Sequence, residues 1–303
     1  MFETLIQKLQ EDRYLTLETT PQHEPSMHNI IEKIKKFKID TKVDGFTCTD
    51  NPLAKLKYSS LFAALKLQQE FKKPVIATVA MRDRNKIALQ SDLLGANDFD
   101  IRAILALTGD PANMSDQPNT KGVYEANSLM LLKMIKSFNY GMDFAGRPFK
   151  IEPKQIFPFA VVNAYAKNFG SLEKKMNQKI QNGAVGIITQ PVFDIENVKK
   201  LLEYFENAKE NVDGEKKKAQ LILGLFPITK LRTALFLSAQ VPGIHVPQFW
   251  IDALEAAHHI SEEEEYKVGM QLSKNLFDEI IKLHPKIHLM TANRFDIANE
   301  IIS

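Results

Sequence analysis

Residues 103–109 read AILALTG and residues 74–80 read PVIATVA, two short runs that are apolar at almost every position. A half-exposed strand alternates apolar and polar residues, whereas an unbroken apolar run suits a strand covered on both faces of a parallel sheet. Working outward, similar runs recur at 14–19 (YLTLET), 43–49 (VDGFTCT), 156–162 (IFPFAVV), 186–190 (GIITQ), 221–227 (LILGLFP) and 286–292 (KIHLMTA), eight in all. Helical periodicity fills the gaps. Residues 172–180 put Leu172, Met176 and Ile180 on one face among lysines, and 195–208 repeat the idea with Val198, Leu201, Leu202 and Phe205. Pro74 and Pro158 fall at strand starts, where a missing N–H is tolerated. Eight strands alternating with helices in 303 residues predict an α/β fold of parallel strands, a (β/α)8 TIM barrel forming a single domain over 1–303. A doubly wound open sheet is the alternative, because strand count alone does not show closure.

Composition narrows the function classes. Apolar residues are 44% of the chain and charged residues 25%, as in ordinary globular proteins. Lys plus Arg (39) nearly balances Asp plus Glu (37), a net charge of +2, so no nucleic-acid grip by phosphate neutralisation is expected. The single cysteine, Cys48, excludes an intrachain disulfide framework and a cysteine-based zinc site. The histidines show no metal spacing, and no metal site is expected. No apolar stretch approaches ~20 residues, and MFETLIQKLQEDRY at the start lacks a secretory core. A cytoplasmic protein without a membrane span is the expectation. GxSxG, P-loop and GxGxxG motifs are missing. A nucleotide-containing cofactor would therefore be held by strand-end loops and scattered side chains.

In a barrel, chemistry gathers at the carboxyl ends of the strands. Those ends carry Glu18; Thr47 with Asp50 and Asn51; Thr78 with Arg82; Thr108, Gly109 and Asp110; Asn163; Gln190; and Asn293 with Arg294. For Asp50 and Asp110, N-capping of the next helix is an equal alternative. Glu18 lies between Leu17 and Thr19 in an apolar strand, where a purely structural charge is costly. Burial there would raise its pKa, which suits a general acid. Gln190 precedes a proline and is held extended, with one donor and one acceptor face suited to reading a heterocycle; helix capping is its alternative. The polar loop 108–121 belongs to the same face, while 208–220 reads as a solvated turn on the opposite one. The acidic run 262–265 reads as a helix first turn after Ser261, and Trp250 as packed core.

Taken in order, LTLETTP near the start, TDNPLA at 49–54, RDRN at 82–85, LQSDLLG at 89–95, LTGDP at 107–111, TQPVFD at 189–194, VPGIHVP at 241–247 and NR at 293–294 resemble one family. It is that of the flavin-dependent methylenetetrahydrofolate reductases, in the branch that carries LTGDP and TQP. The resemblance runs from residue 14 to residue 295. It implies a (β/α)8 barrel that binds FAD at the carboxyl-terminal face, draws electrons from NADH or NADPH, and reduces 5,10-methylenetetrahydrofolate to 5-methyltetrahydrofolate. Its place would be in one-carbon metabolism and methionine supply. Glu18 matches the catalytic acid that protonates N10, and Asp110 the aspartate near flavin and pterin. Gln190 matches the pterin-reading amide, Arg294 a substrate-binding arginine and Lys179 a lysine that contacts FAD. Thr47, Asn51, Thr78, Thr108, Gly109, Tyr124 and Asn163 align with positions lining the flavin.

Some positions depart from the family pattern. Thr108 stands where many members have arginine and Thr78 where many have histidine, while Phe159 and Asn163 replace a tyrosine and a histidine; these changes thin the polar contacts to FAD. Phe236 or Leu237 falls near a phenylalanine that stacks the nicotinamide, and a redox partner protein is the alternative donor. A homo-oligomer is the usual family arrangement. The competing readings are a folate-binding barrel without turnover, or dependent on a partner, and a barrel enzyme acting on another pterin.

Overall fold

Each apolar run becomes one strand. The strands β1 (Tyr14–Thr19), β2 (Gly45–Cys48), β3 (Val75–Ala80), β4 (Ala103–Leu107), β5 (Phe157–Val162), β6 (Gly186–Pro191), β7 (Gln220–Leu225) and β8 (Lys286–Leu289) pair in sequence order, all parallel. β8 then returns to β1, with Tyr14 opposite Lys286 and Leu17 opposite Leu289. That pairing closes the expected (β/α)8 barrel and rules out the open sheet. The structure is a computed structural model describing residues 1–303 apart from Asp12, Ala166, Lys167, Asn211, Pro242 and the side chain of Phe169.

Around the barrel run α1 (Phe2–Glu11), α2 (His28–Lys36), α3 (Ser60–Phe71), α4 (Lys86–Asp98), α5 (Ser128–Asn139), α6 (Phe169–Gln181), α7 (Ile195–Lys209), α8 (Leu231–Gln240), α9 (Gln248–His258), α10 (Glu262–Leu283) and α11 (Phe295–Ile302). Several strands stop short of the apolar runs that announce them. β4 ends at Leu107 because Gly109 turns out of the ladder at φ 94°, and β8 ends at Leu289 because Ala292 and Asn293 turn at 49° and 63°. The 208–220 segment holds a 3-10 turn, Gly214–Lys218, ahead of β7. The Ser261 hydroxyl accepts the Glu264 N–H at 3.0 Å and starts α10 on four glutamates, which suit the positive end of the helix dipole. Trp250 is 2% exposed and donates its indole N–H to the Phe193 carbonyl at 3.0 Å, as packed core.

The period of two along each strand feeds two cores. Leu17, Phe46, Val79, Ile104 and Leu223 pack outward beneath the helices. Tyr14, Ile76, Leu105, Phe159, Ile188 and Ile222 fill the barrel, which Phe2, Leu5, Ile6 and Leu9 of α1 plug from below. Those four share one helical face at i, i+3, i+4 and i+7; the plug is an element the strand-centred reading passed over. Among the described residues, no helix is long and apolar enough to cross a membrane, and no group of three or more His, Cys, Asp or Glu could hold a metal ion.

Close approach of β6 and β7 sets a sharp steric limit. A Cβ added at Gly224 would fall 2.3 Å from the Thr189 carbonyl oxygen, a backbone atom that cannot swing aside, and 2.6 Å from Met290 Cε. Gly95, inside α4, has nothing within 4 Å of such a carbon. Gly224→Ala is expected to destabilise the protein by about 1–3 kcal/mol, whereas Gly95→Ala should stabilise it by about 0.5–1 kcal/mol. Thermal unfolding of the two variants side by side checks the sign of each.

Candidate functional site

The inward alternation of β1 runs through Tyr14 and Thr16 to Glu18 at the carboxyl end. In register, Glu18 stands beside Thr47 of β2 and Thr16 beside His288 of β8. The Glu18 side chain is 24% exposed, placed where core gives way to solvent. His288 is 3% exposed; its Nε2 lies 3.8 Å from Glu18 Oε2 and its Nδ1 3.0 Å from the Thr16 hydroxyl. The strand-end reading missed His288. Its signal was the one that singled out Glu18: a polar residue between outward apolar neighbours, here Ile287 and Leu289.

Thr47 Oγ1 and Gln190 Oε1 are both buried without a hydrogen-bond partner. In a finished core such atoms are costly; at a barrel mouth they are groups that a polar ligand would satisfy. Asp194 caps α7 by accepting the Asn197 N–H at 2.7 Å, so Gln190 is not needed as a cap. The segment between α8 and α9 lies over this corner, for a Cβ on Gly243 would fall 2.6 Å from Gln190 Oε1 and 2.8 Å from Asn163.

Asp50 and Asp110 do not cap the elements that follow them. Asp50 accepts the Ala80 N–H at 2.9 Å and Arg84 Nη1 at 2.6 Å. Asp110 accepts the Leu53 N–H at 2.7 Å, and the Tyr124 hydroxyl donates to the Asp110 carbonyl. Burial pushes the Tyr124 phenol up, against the pull of the Arg82 guanidinium. Thr78 is buried, its carbonyl taking the Ser60 hydroxyl at 2.7 Å, and the Asn51 side chain accepts the Lys57 N–H at 2.8 Å. These contacts draw Asn51, Gly109, Asp110 and Tyr124 to the β2–β4 side of the mouth.

Next to them, between the ends of β4 and β5, opens a cleft of about 630 Å³ lined by Thr108, Ser128, Asn163, Lys175 and Lys179 among others. Among the described lining residues there is no carboxylate. Lys179 Nζ lies 3.4 Å from the Ser128 hydroxyl, and burial, reinforced by Lys175, pushes its pKa down to about 8. Thr108, in place of a guanidinium, accepts the Ser128 N–H at 3.1 Å near the start of α5. Cations, amides and a helix start without an acid make a receptor for an anion of phosphate type.

Other candidates are placed differently. Arg294 is half exposed and bonded to Asp296 at 2.6 and 2.9 Å. Asn293 is bonded in both directions to the Thr20 backbone, at 2.9 and 2.7 Å. Phe159 is wholly buried inside the barrel. Of the adjacent pair on α8, Phe236 is 48% exposed and Leu237 only 6%.

The closed barrel, with an inward carboxyl–imidazole pair and a lysine-lined cleft at its carboxyl-terminal mouth, defines the class: a (β/α)8 barrel. The family model described as methylenetetrahydrofolate reductase matches residues 3–303, and the chain belongs to that family. Among solved structures, it is similar to a protein from Clostridium thermocellum that binds two copies of 5-methyl-5,6,7,8-tetrahydrofolic acid, with 15% identity, a TM-score of 0.66, and 99% of this chain and 96% of that chain covered. It is also similar to DmoA from Hyphomicrobium sulfonivorans, with 9% identity, a TM-score of 0.55, and 95% and 86% of the two chains covered. At such identities the likeness is one of fold. No curated protein matches the sequence.

The cleft supplies a prediction with a pH sign. Below its pKa of about 8, Lys179 is charged and attracts a diphosphate; above it the charge is lost. ADP affinity, measured by calorimetry, should fall as pH rises from 7 towards 9 in the unaltered protein. Lys179→Met should weaken binding about 10–100-fold at pH 7 and flatten the pH dependence. Equal slopes in both proteins would remove Lys179 from the anion site.

Proposed function

We propose that the whole chain acts as one reductase domain that converts 5,10-methylenetetrahydrofolate to 5-methyltetrahydrofolate, with FAD at the carboxyl-terminal mouth and NADH or NADPH as electron donor. The observation that carries this reading is the inward Glu18 carboxyl paired with His288, in the same mouth as the orphaned Gln190 and Thr47 oxygens. It rests also on the family, and is in keeping with the folate bound by the Clostridium thermocellum protein. FAD fits the donor set: Lys179, Lys175 and Ser128 suit its diphosphate, and Asn51, Thr78, Gly109 and Tyr124 are the residues that would line its flavin end near Asp110.

When bound and reduced by the nicotinamide donor, FAD would supply the hydride that the reduction needs. The chain's own residues supply binding and the proton. Gln190 offers its unpaired oxygen to an N–H of the pterin edge. Glu18 delivers a proton to N10 of the folate, which opens the five-membered ring and leaves a cationic methylene on N5. Asp110 places a negative charge on the side of the mouth where that cation forms. His288, held through Nδ1 by Thr16, stands beside Glu18 with its Nε2 3.8 Å from the carboxylate. Phe236, exposed on α8, is the ring that would stack a nicotinamide, and a reduced partner protein is the second possible donor.

One observation favours a second reading, a folate-binding barrel without turnover. Position 108 is a threonine, whose hydroxyl accepts the Ser128 N–H, and so adds no cation to the cleft. The visible spectrum of purified protein separates the two, since only the reductase would carry the yellow of a flavin.

Anaerobic stopped-flow measurement tests the reading by following flavin bleaching with NADH and then its reoxidation by methylenetetrahydrofolate. Glu18→Gln should leave the first half nearly intact and slow the second at least ~10²-fold, because an amide has no proton to give N10. Equal slowing of both halves would make Glu18 structural. A wild-type protein that neither binds flavin nor oxidises methyltetrahydrofolate with an artificial acceptor would end the reductase reading.

A further inference from the structure

Arg82, just past β3, is among the largest fully buried side chains, 2% exposed. A guanidinium in such a place is held only by hydrogen bonds. Its Nε and Nη2 donate to the Asp83 carboxylate at 2.7 and 2.6 Å, and Nη2 also donates to the Asn51 carbonyl at 3.1 Å. The ion pair thus grips Asn51 by its backbone, while the Asn51 side chain accepts the Lys57 N–H at 2.8 Å. Asn51 opens a turn in which Asn51, Leu53 and Ala54 stand at φ 43°, 55° and 57°. Residues with a Cβ avoid that left-handed region, and a turn with three of them is held from outside. This turn presents the Leu53 N–H to the Asp110 carboxylate.

Arg82 also reaches Asp110 from the other side. A Cβ on Gly109 would meet Arg82 Cβ at 2.9 Å, so the arginine stem is the floor under the residue that precedes Asp110. The Arg82 carbonyl accepts the Val123 N–H at 2.7 Å, and the neighbouring Tyr124 hydroxyl bonds the Asp110 carbonyl.

We propose that Arg82 is a positioning residue for Asp110: its ion pair with Asp83 holds the Asn51–Leu53–Ala54 turn in the left-handed backbone that aims the Leu53 N–H at the carboxylate. The catalytic half of this inference rests on the folate-reductase reading; the structural half does not. Arg82→Lys keeps a charge but loses the fork that serves Asp83 and Asn51 at once, and Arg82→Gln loses both.

Two measurements test it. In protein without ligands, amide hydrogen exchange should show protection at Leu53 falling about tenfold or more in Arg82→Lys, with the amides of α3 unchanged. In the folate half-reaction, Arg82→Lys should slow reoxidation about 10–100-fold, as a displaced catalytic group would. The double variant with Asp110→Asn should be no slower than Asp110→Asn alone, because the arginine acts through the aspartate. Unchanged Leu53 protection, or rate losses that multiply in the double variant, would overturn the inference. A wild-type protein inactive towards folate would sink the reductase reading, and the Leu53 amide would then decide the Arg82 inference alone. If Arg82→Gln does not fold, Arg82→Lys carries both arms; a Leu53 amide already unprotected in the unaltered protein also counts against it.

Discussion

The pairing of β8 with β1, residues 286–289 alongside 14–17, is the contact on which the other parts of the molecule depend. A parallel sheet left open would expose two edges of unpaired N–H and C=O groups; closure removes both. It also divides every strand's side chains between a dry interior and a helix-covered exterior. Once the interior is sealed below by α1 and filled by Phe159, Ile188 and Ile222, inward polar residues can gather only towards the open end. Glu18, Thr47 and His288 meet because closure places β8 beside β1 and β1 beside β2.

The mouth holds different electrostatic environments side by side. On the β1–β8 side a carboxyl and an imidazole lie 3.8 Å apart. On the β4–β5 side a lysine is pushed down to about 8 in a cleft with no carboxylate among its described lining residues. Between them, Asp110 is tied through its carboxylate to the Leu53 N–H of a turn in a different loop, whose Asn51 carbonyl accepts Arg82 Nη2. Opposite charge requirements are met in one small opening because each is fixed by a different set of backbone segments.

Several motif residues turn out to be architectural. Asn85 of RDRN caps α4, taking N–H groups from Ile87 and Ala88 at 3.1 and 2.9 Å. Asp194 of TQPVFD caps α7, and Gly109 of LTGDP supplies the positive φ that ends β4. Such residues aim the chemistry without touching it. Glu18 and Gln190 differ from them in leaving polar atoms turned to the mouth rather than to a helix end, and that distinction came from hydrogen bonds, not from spacing.

The run of apolar strands was readable in the chain itself. Side-chain burial on both faces leaves a mark at every position, so all eight strands were found with their ends shifted by no more than a few residues. Glu18 was legible for the same reason, as a charge where the pattern demands an apolar residue. His288 carried the same mark in 286–292 and was passed over because histidines were weighed for metal spacing. Closure, the plug of α1 and the ties of Asp50 to Ala80 and Arg84, and of Asp110 to Leu53, were beyond reach. They join residues from 30 to more than 250 positions apart, and local periodicity reports which face a residue shows but not which distant segment meets it.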